Sequence, residues 1–298
     1  MKTAVALGSF DGVHIAHAAL IRNAVSYART HDLLAMAYVF EPHPRLLLRP
    51  EKPVELLTTF AEKEALLYRL GIDKVQAERR GEKILQLSPE AFVKEVLAEE
   101  LQASFVTAGE NYRFGKNAAG DASYLKRLCE KAHVRCEIMD TVFFDGQSVS
   151  STRIRQCLSD GEIEMVNRLS FAPYTKCGTV IRGKELGRKL GFPTLNIAFE
   201  NGILLPKKGV YISRTTVDGE SYCSITNVGE NPTVETAKTR MESHLFGYDA
   251  EAYGKSVAVT LLSYLRPEIK FASVDALMAQ LVQDKEAAIQ YFKGERTV

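Results

Sequence analysis

The chain has 298 residues, a length that favours two domains over a single core. Apolar residues make up 46% and charged residues 25%, as in ordinary globular proteins, and the net charge is +1. This balance gives no bulk electrostatic attraction for nucleic acid or anionic membranes, and no apolar run approaches the ~20 residues that span a bilayer. We therefore expect a two-domain globular protein that binds neither nucleic acid nor membrane.

The five cysteines are scattered without a CxxC pair, and their number is odd. This usage predicts reduced thiols and a cytoplasmic location. The first residues lead into a short apolar run rather than the longer one of a signal peptide, which agrees with that location. The sequence does not indicate an oligomeric state.

The first half alternates predicted strands and helices. The hydrophobic pattern predicts strands at 3–7, 33–40, 105–108 and 134–139, and helices at 17–29, 60–71, from 89 onward and at 122–133. A capping box at Thr59–Glu62 marks one helix start, and Ser88-Pro89 marks another. The alternation predicts an α/β domain, a Rossmann-like parallel sheet with helices on both faces.

The turn after the first strand carries the first candidate site. Glycines at Gly8 and Gly12 allow a tight turn and the close approach of a bound group. The helix that follows offers free N–H groups to a phosphate, and His14 and His17 point the same way from its first turn. A plain turn with two surface histidines is the alternative, and a zinc site is a second, although helical zinc pairs are usually four residues apart with a Glu between.

The second half is richer in strands. Short apolar runs at 178–181, 210–217, 222–227 and 257–264 predict strands, Asp218-Gly219 predicts a hairpin turn, and 273–292 predicts a helix. This pattern predicts an antiparallel β-barrel with a terminal helix. Pro173 lies near the change in pattern, so we expect domains at 1–170 and 171–298.

The stretch Gly8–His17 reads GSFDGVHIAH and resembles the His-x-Gly-His signature of the nucleotidyltransferases. It is most similar to the FMN adenylyltransferase module of bacterial bifunctional riboflavin kinase/FMN adenylyltransferases, the FAD synthetases. That resemblance implies catalytic roles for His14 and His17, and it implies nucleotide or flavin contacts from Gly8, Phe10, Asp11 and Gly12. The chain departs from the family at Ala16, where the family has glycine.

Three further segments of the first half resemble the same family. They are FEPHPR (40–45), GENYRFGKNAAGD (109–121) and SSTRIR (150–155). The resemblance implies that Asn111 contacts nucleotide and flavin. Ser151 or Thr152 can cap the following helix and donate a hydroxyl to phosphate, and the resemblance makes Arg155 the counter-charge of the ATP phosphates.

The second half resembles the riboflavin kinase domain through GTVIRGKELGRKLGFPTLN (178–196). Gly183 and Gly187 fit a flexible loop over phosphates. The resemblance implies that Thr194 and Asn196 bind Mg²⁺ and nucleotide phosphate, with Leu195 where the family has alanine. It also makes Glu242 the general base that takes the proton of the riboflavin 5′-hydroxyl. A Walker-type phosphate loop is absent from the sequence.

The expected function is the synthesis of FAD from riboflavin. The second half would phosphorylate riboflavin with ATP and Mg²⁺ to FMN, and the first half would adenylylate FMN to FAD with release of pyrophosphate. Two alternatives stay open: an enzyme that retains one activity, and a non-catalytic flavin- or nucleotide-binding regulatory protein. Cytidylyl transfer to another small molecule would explain the first half alone.

Overall fold

The structure is a computed structural model that describes residues 1–48, 50–183, 187, 191–199, 202–230 and 239–295. The chain forms two compact units, residues 1–153 and residues 154–298. This division lies before the boundary expected at 170/171, which stays a prediction.

The first unit contains a five-stranded parallel sheet. Its strands are β1 (Thr3–Leu7), β2 (Leu34–Phe40), β3 (Lys74–Glu78), β4 (Ala103–Gly109) and β5 (Arg135–Met139), in the order β3-β2-β1-β4-β5. A small hairpin follows, β6 (Phe143–Phe144) and β7 (Gln147–Ser148). The parallel sheet and its doubly wound order confirm the predicted fold class, although the mostly polar strand β3 was not predicted.

The helices of the first unit follow the strands along the chain. They are α1 (Ile15–Thr30), α2 (Pro44–Leu48), α3 (Phe60–Arg69), α4 (Glu82–Leu85), α5 (Pro89–Ala91), which continues as a π-helix over Phe92–Glu100, and α6 (Ala122–Lys131). Helix α7 (Ser151–Asp160) begins in this unit and crosses into the second. The predicted capping box of Thr59 and Glu62 is present at the start of α3.

Both faces of this sheet are covered. Val5 and Leu7 of β1 belong to a buried cluster with residues of the π-helix and α6. Ala4 and Ala6 point to the opposite face, because side chains alternate along a strand, and both are fully buried. Helix α1 packs against β1, β2 and β4, where small alanine side chains allow it a close approach.

The second unit is a closed six-stranded antiparallel barrel. Its strands are β8 (Thr175–Ile181), β9 (Leu195–Ala198), β10 (Gly209–Val217), β11 (Glu220–Glu230), β12 (Thr239–Leu245) and β13 (Ser256–Arg266). They close in the order β10-β11-β12-β9-β8-β13. Helices α8 (Ile163–Leu169) and α9 (Val274–Glu295) belong to the same unit. The barrel with a terminal helix is the predicted architecture, and Asp218-Gly219 forms its predicted turn, with φ of +50° and +84°.

The barrel interior carries a chain of buried hydroxyl groups. The chain runs Thr215–Ser224–Ser213–Thr226–Ser243, with oxygen–oxygen distances of 2.7 to 2.9 Å. All five residues are fully buried. Their hydroxyls satisfy one another, so the polar interior does not leave these groups without partners.

No helix in the described ranges combines the length and the hydrophobicity needed to cross a membrane.

Candidate active sites

The turn between β1 and α1 is the candidate phosphate site of the first unit. Phe10, Gly12 and Val13 adopt positive φ angles of +48°, +79° and +34°. Such angles are uncommon for residues other than glycine, so the surrounding structure holds the turn in a strained conformation. A Cβ added to Gly12 would lie 2.6 Å from Cδ1 of Leu57. A Cβ added to Gly8 would lie 2.8 Å from Cε1 of Phe10. Close packing therefore requires glycine at both positions.

The buried carboxylate of Asp11 ties this turn to the segment before α3. Its Oδ1 accepts hydrogen bonds from the main-chain N–H of Leu57 at 2.9 Å and of Thr58 at 3.2 Å. The Thr58 hydroxyl accepts a hydrogen bond from the N–H of Gly12 at 3.2 Å. Asp11 and Phe10 are 1% and 0% exposed, so their side chains shape the turn from within.

His14 and His17 lie side by side at the start of α1. Their ring centroids are 3.5 Å apart and their planes differ by 15°, so the two rings face the same way, as predicted. His14 is the N-cap, and its Nδ1 accepts a hydrogen bond from the N–H of His17 at 3.2 Å. Because Nδ1 accepts, the proton of the neutral His14 ring is on Nε2. That Nε2–H is the donor that His14 can offer to a ligand.

Both rings are neutral at pH 7. Burial lowers the pKa of His14 to about 4. Burial also lowers the pKa of His17 well below its usual 6.5, and electrostatic interaction with His14 and with the positive charge of Lys63 lowers it further. Nδ1 of His17 is buried and has no hydrogen-bond partner in the part of the chain that the structure describes. The pair therefore offers neutral hydrogen-bonding groups beside a helix N-terminus, a setting that suits an oxygen-rich anion.

We expect the stability of the protein to fall on acidification through these histidines. A group whose pKa is lowered on folding stabilises the fold fully above its unfolded pKa, and this contribution is lost as the pH falls toward the folded value. For His14 the window runs from 6.5 down to about 4, which corresponds to on the order of 3 kcal/mol. Urea unfolding followed by circular dichroism, at about pH 7 and about pH 4.5, measures the loss.

The variant His14→Asn provides the matched comparison for this measurement. Asparagine keeps an N-cap acceptor but does not titrate, so its free energy of unfolding should depend less on pH than that of the unaltered protein. His31→Asn is the control, because His31 is exposed at the other end of α1. Equal pH dependence of the His14 variant and the unaltered protein would contradict the assignment.

Lys63 is a residue of this site that the sequence reasoning missed. It lies in the first turn of α3, directly after the capping box of Thr59–Glu62, and is only 3% exposed. The signal was present in the sequence, because Lys63, Leu67 and Leu70 are spaced i, i+4 and i+7. All three are buried, so a lysine occupies the apolar stripe of the helix.

The charge of Lys63 acts on the groups of the turn. Its positive charge lowers the pKa of His17. Burial lowers the pKa of Lys63 itself, while the carboxylates of Asp11 and Glu41 act in the opposite direction. Lys63 therefore belongs electrostatically to the cluster that contains Asp11 and the histidine pair.

The start of α7 reaches the same turn. Ser151 Oγ donates a hydrogen bond to the main-chain oxygen of Asp11 at 2.9 Å, which brings this predicted residue to the site. Thr152 is exposed next to it. The prediction that Ser151 or Thr152 caps the helix is wrong, because Ser150 Oγ accepts the N–H of Arg153 at 3.2 Å. The Ser151 hydroxyl instead stabilises the turn through its hydrogen bond to Asp11.

Asn111 lies in the loop after β4. Strands β1 and β4 are adjacent and parallel, so the loops after them leave the sheet at the same edge, where ligands of such folds bind. Asn111 is exposed, and beside it Tyr112 stacks on Phe114 at 5.9 Å between ring centroids. Arg155 lies on α7 beyond the division between the two units, and its role as counter-charge stays a prediction.

The second candidate site lies on the barrel around Asn196 of β9. Its side chain is 8% exposed, and a Cβ added to Gly183 would lie 2.3 Å from its Nδ2 and 2.7 Å from its Oδ1. A Cβ added to Gly187 would lie 2.3 Å from the main-chain oxygen of Phe192 and 3.7 Å from Oγ1 of Thr194. The predicted glycines are therefore in contact with the Thr194–Asn196 segment. The rest of the predicted phosphate loop, 184–186 and 188–190, lies outside the described residues.

Barrel register places Glu242 next to Asn196. Glu242 of β12 is directly opposite Asn196 of β9 and, on its other side, Asn227 of β11. Directly opposite residues of antiparallel strands share a face, with Cβ atoms ~4.5–5.5 Å apart. Leu195 is opposite the fully buried Ser243, so its side chain belongs to the interior face and not to the face of Asn196. Asn227 was not singled out as a site residue, and its Nδ2 donates a hydrogen bond to Glu268 at 3.2 Å.

Two family models match the chain over two segments that do not overlap. Residues 1–153 match the FAD synthetase family, and residues 170–292 match the riboflavin kinase family. The first match contains the histidine pair and Ser151, and the second contains Gly183, Asn196 and Glu242.

Relatives match nearly the whole chain. A bifunctional riboflavin kinase/FMN adenylyltransferase of Listeria monocytogenes is 34% identical over 97% of this chain and 92% of its own length. The enzyme of the same name from Escherichia coli K12 is 32% identical over 96% of this chain and 91% of its own. A crystal structure from Streptococcus pneumoniae, described as a macrolide-efflux protein, shares the fold with a TM-score of 0.88 and 30% identity over 96% of this chain and 94% of that one. The chain thus belongs to the bifunctional riboflavin kinase/FMN adenylyltransferase family.

Proposed function

We propose that this chain makes FAD from riboflavin in two ATP-dependent steps, each at its own site. The barrel phosphorylates riboflavin to FMN, and the parallel-sheet unit adenylylates FMN to FAD. The observation that carries the proposal is that both family models match one chain, each over the unit that contains the corresponding candidate site. A cytoplasmic location is part of the same proposal, supported by an odd number of scattered cysteines without a CxxC pair.

In adenylyl transfer the FMN phosphate is itself the nucleophile. One of its oxygens forms a bond to the α-phosphorus of ATP, and the bond from that phosphorus to the bridging oxygen breaks, which releases pyrophosphate. The chain needs no nucleophile of its own, so its contribution is positioning and charge stabilisation. Neutral His14 donates from Nε2 toward the phosphates, and His17 acts beside it. The N–H groups at the start of α1 hold the phosphates, and Ser151 and Asp11 keep the turn in shape.

Other predicted residues complete this proposed site. Asn111 would contact nucleotide and flavin from the loop after β4, Thr152 would donate its hydroxyl to phosphate, and Arg155 would provide the counter-charge of the leaving pyrophosphate. Their support is the match of their segments to the family and, for Asn111, its place at the ligand-binding edge of the sheet.

In the kinase reaction Glu242 is the proposed general base. The 5′-hydroxyl oxygen of riboflavin attacks the γ-phosphorus of ATP, its proton passes to the Glu242 carboxylate, and ADP leaves. The support is the register that sets Glu242 beside Asn196, together with the exposed position of Glu242 on the barrel. The glycines at 183 and 187 leave room for phosphates near this face.

The residues of the barrel site fit Mg²⁺. This ion prefers oxygen ligands and is usually held by one or two protein groups together with substrate phosphates and water. Thr194 Oγ1 and Asn196 Oδ1 are two such oxygens, and a side chain at Gly183 would fill the space beside the Asn196 amide. The chemistry that Mg²⁺ would supply there is neutralisation of phosphate charge.

Product analysis tests the proposed function. The purified protein is incubated with Mg²⁺ and ATP plus either riboflavin or FMN, and flavins are separated by chromatography. Riboflavin should yield FMN and then FAD, and FMN should yield FAD directly. Formation of FMN alone would indicate one retained activity, and tight flavin binding without turnover would indicate a regulatory binder; either result contradicts the proposal.

A further inference from the structure

We propose that Lys63 is a further positioning residue of adenylyl transfer, a buried lysine that supplies positive charge which the histidine pair lacks. This inference rests on the proposed function of the first unit. It concerns a residue that lies on a different helix from the histidines and outside the segments that resemble the family signature.

Lys63 is the group that can supply positive charge at this turn. His14 and His17 are neutral at pH 7, so they contribute hydrogen bonds but no net charge. Asp11 and Glu41 each bring a carboxylate close enough to act on Lys63. Substrates of adenylyl transfer are polyanions, and two carboxylates without a cation beside them would repel phosphate. Lys63 offsets that repulsion.

Burial makes this charge costly to keep. Lys63 is 3% exposed, and this burial lowers the pKa of its side chain. A buried cation of this kind destabilises a fold relative to an apolar side chain of similar length. A residue that only supported the fold would gain by being methionine or leucine. A charge kept against its desolvation cost is typical of a functional position.

The position of Lys63 is held by the same contacts that build the turn. The Asp11 carboxylate binds the N–H groups of Leu57 and Thr58, directly before the capping box that opens α3. The N-terminal turn of α3 is thereby attached to the turn that carries the histidines. Lys63 acts through this arrangement on His17, whose pKa is lowered mainly by burial and further by the charge of Lys63.

The test compares Lys63→Met with Lys63→Arg in the full-length protein. Methionine removes the charge and keeps most of the length, and arginine keeps the charge. We expect Lys63→Met to lower kcat/KM for FAD formation from FMN by about 10²-fold, because the site loses a fixed positive charge that acts beside the proposed counter-charge of Arg155. Lys63→Arg should retain more activity than the methionine variant. Riboflavin phosphorylation by both variants should equal that of the unaltered protein.

Two readouts separate this role from a structural one. The midpoint of thermal unfolding should stay the same or rise in Lys63→Met, since a buried charge has been removed. The acid limb of the pH–rate profile for FAD formation should move to higher pH. Two groups act on His17 through their charge, Lys63 from α3 and, once it is protonated at low pH, His14 from the N-cap; removal of the Lys63 charge raises the pKa of His17. Lys83→Met, at an exposed lysine of α4, is the matched control.

The outcomes are distinguishable. Unchanged kcat/KM and an unmoved acid limb in Lys63→Met would overturn the inference, as would a loss of both activities with a lower unfolding temperature. If the unaltered protein forms FMN but never FAD, the proposed function of the first unit fails instead.

Discussion

Replacing His17 with alanine is expected to lower the rate of FAD formation from FMN by about 10²–10³-fold. The ring lies in the first turn of α1, stacked on His14 at 3.5 Å, with a buried Nδ1 whose hydrogen-bonding position is unfilled among the described residues. In the proposed mechanism, its removal takes away a group that acts where negative charge builds up on the transferring phosphate. Chromatographic rates with FMN as substrate measure the loss.

Riboflavin phosphorylation is the internal control for this variant. The barrel is a separate compact unit, so FMN formation should stay within about twofold of the unaltered rate if the two sites work independently. His31→Ala, at the exposed end of the same helix, should change neither rate. Loss of both activities in a folded His17→Ala protein would argue against separate sites, and an unchanged rate of FAD formation would remove His17 from its role.

Much of the first site could be predicted because its signals are local. The apolar run Thr3–Leu7, the glycines after it and the i, i+3 histidines lie within fifteen residues, and local sequence decides their arrangement. The capping box before α3 is likewise a property of four consecutive residues. The local structure of such stretches can be predicted without knowledge of the rest of the fold.

Contacts distant in sequence explain what could not be predicted. The hydrogen bonds of Asp11 to Leu57 and Thr58 join segments 46 and 47 residues apart, and they attach α3 to the turn. Without knowledge of these hydrogen bonds, the sequence predicts only that Lys63 is a charged residue on a helix. Ser151 and Thr152 are both good N-cap residues, but the helix begins at Ser151, so Ser150 is the cap and the Ser151 hydroxyl bonds to the main chain of Asp11.

The second site depends on barrel closure in the same way. Strand β12 (Thr239–Leu245) has too few apolar residues for the pattern to predict a strand, and β9 (Leu195–Ala198) is only four residues long. Family resemblance supplied Glu242 and Asn196 as residues of interest. Their adjacency follows from the pairing of β9 with β12, which closes the barrel and which no local pattern contains.

Replacing Glu242 with glutamine is expected to lower the rate of riboflavin phosphorylation by about 10²–10⁴-fold. Glutamine preserves size and hydrogen bonding but cannot take the proton of the attacking hydroxyl. The KM for riboflavin should change little, because the variant loses an interaction used as the hydroxyl is deprotonated rather than one used in binding. Initial rates of FMN formation over a range of riboflavin concentrations measure both parameters.

The rate of FAD formation from FMN is the internal control for the Glu242 variant. With FMN supplied, Glu242→Gln should form FAD at the unaltered rate. With riboflavin it should form almost no FAD, because the slowed first step supplies too little FMN for the second. Glu251→Gln, at an exposed glutamate just after β12 in the chain, should behave like the unaltered protein with either flavin. An undiminished kinase rate in Glu242→Gln would show that the hydroxyl proton leaves by another route. In that case the Glu242–Asn196 register would describe barrel packing rather than catalysis.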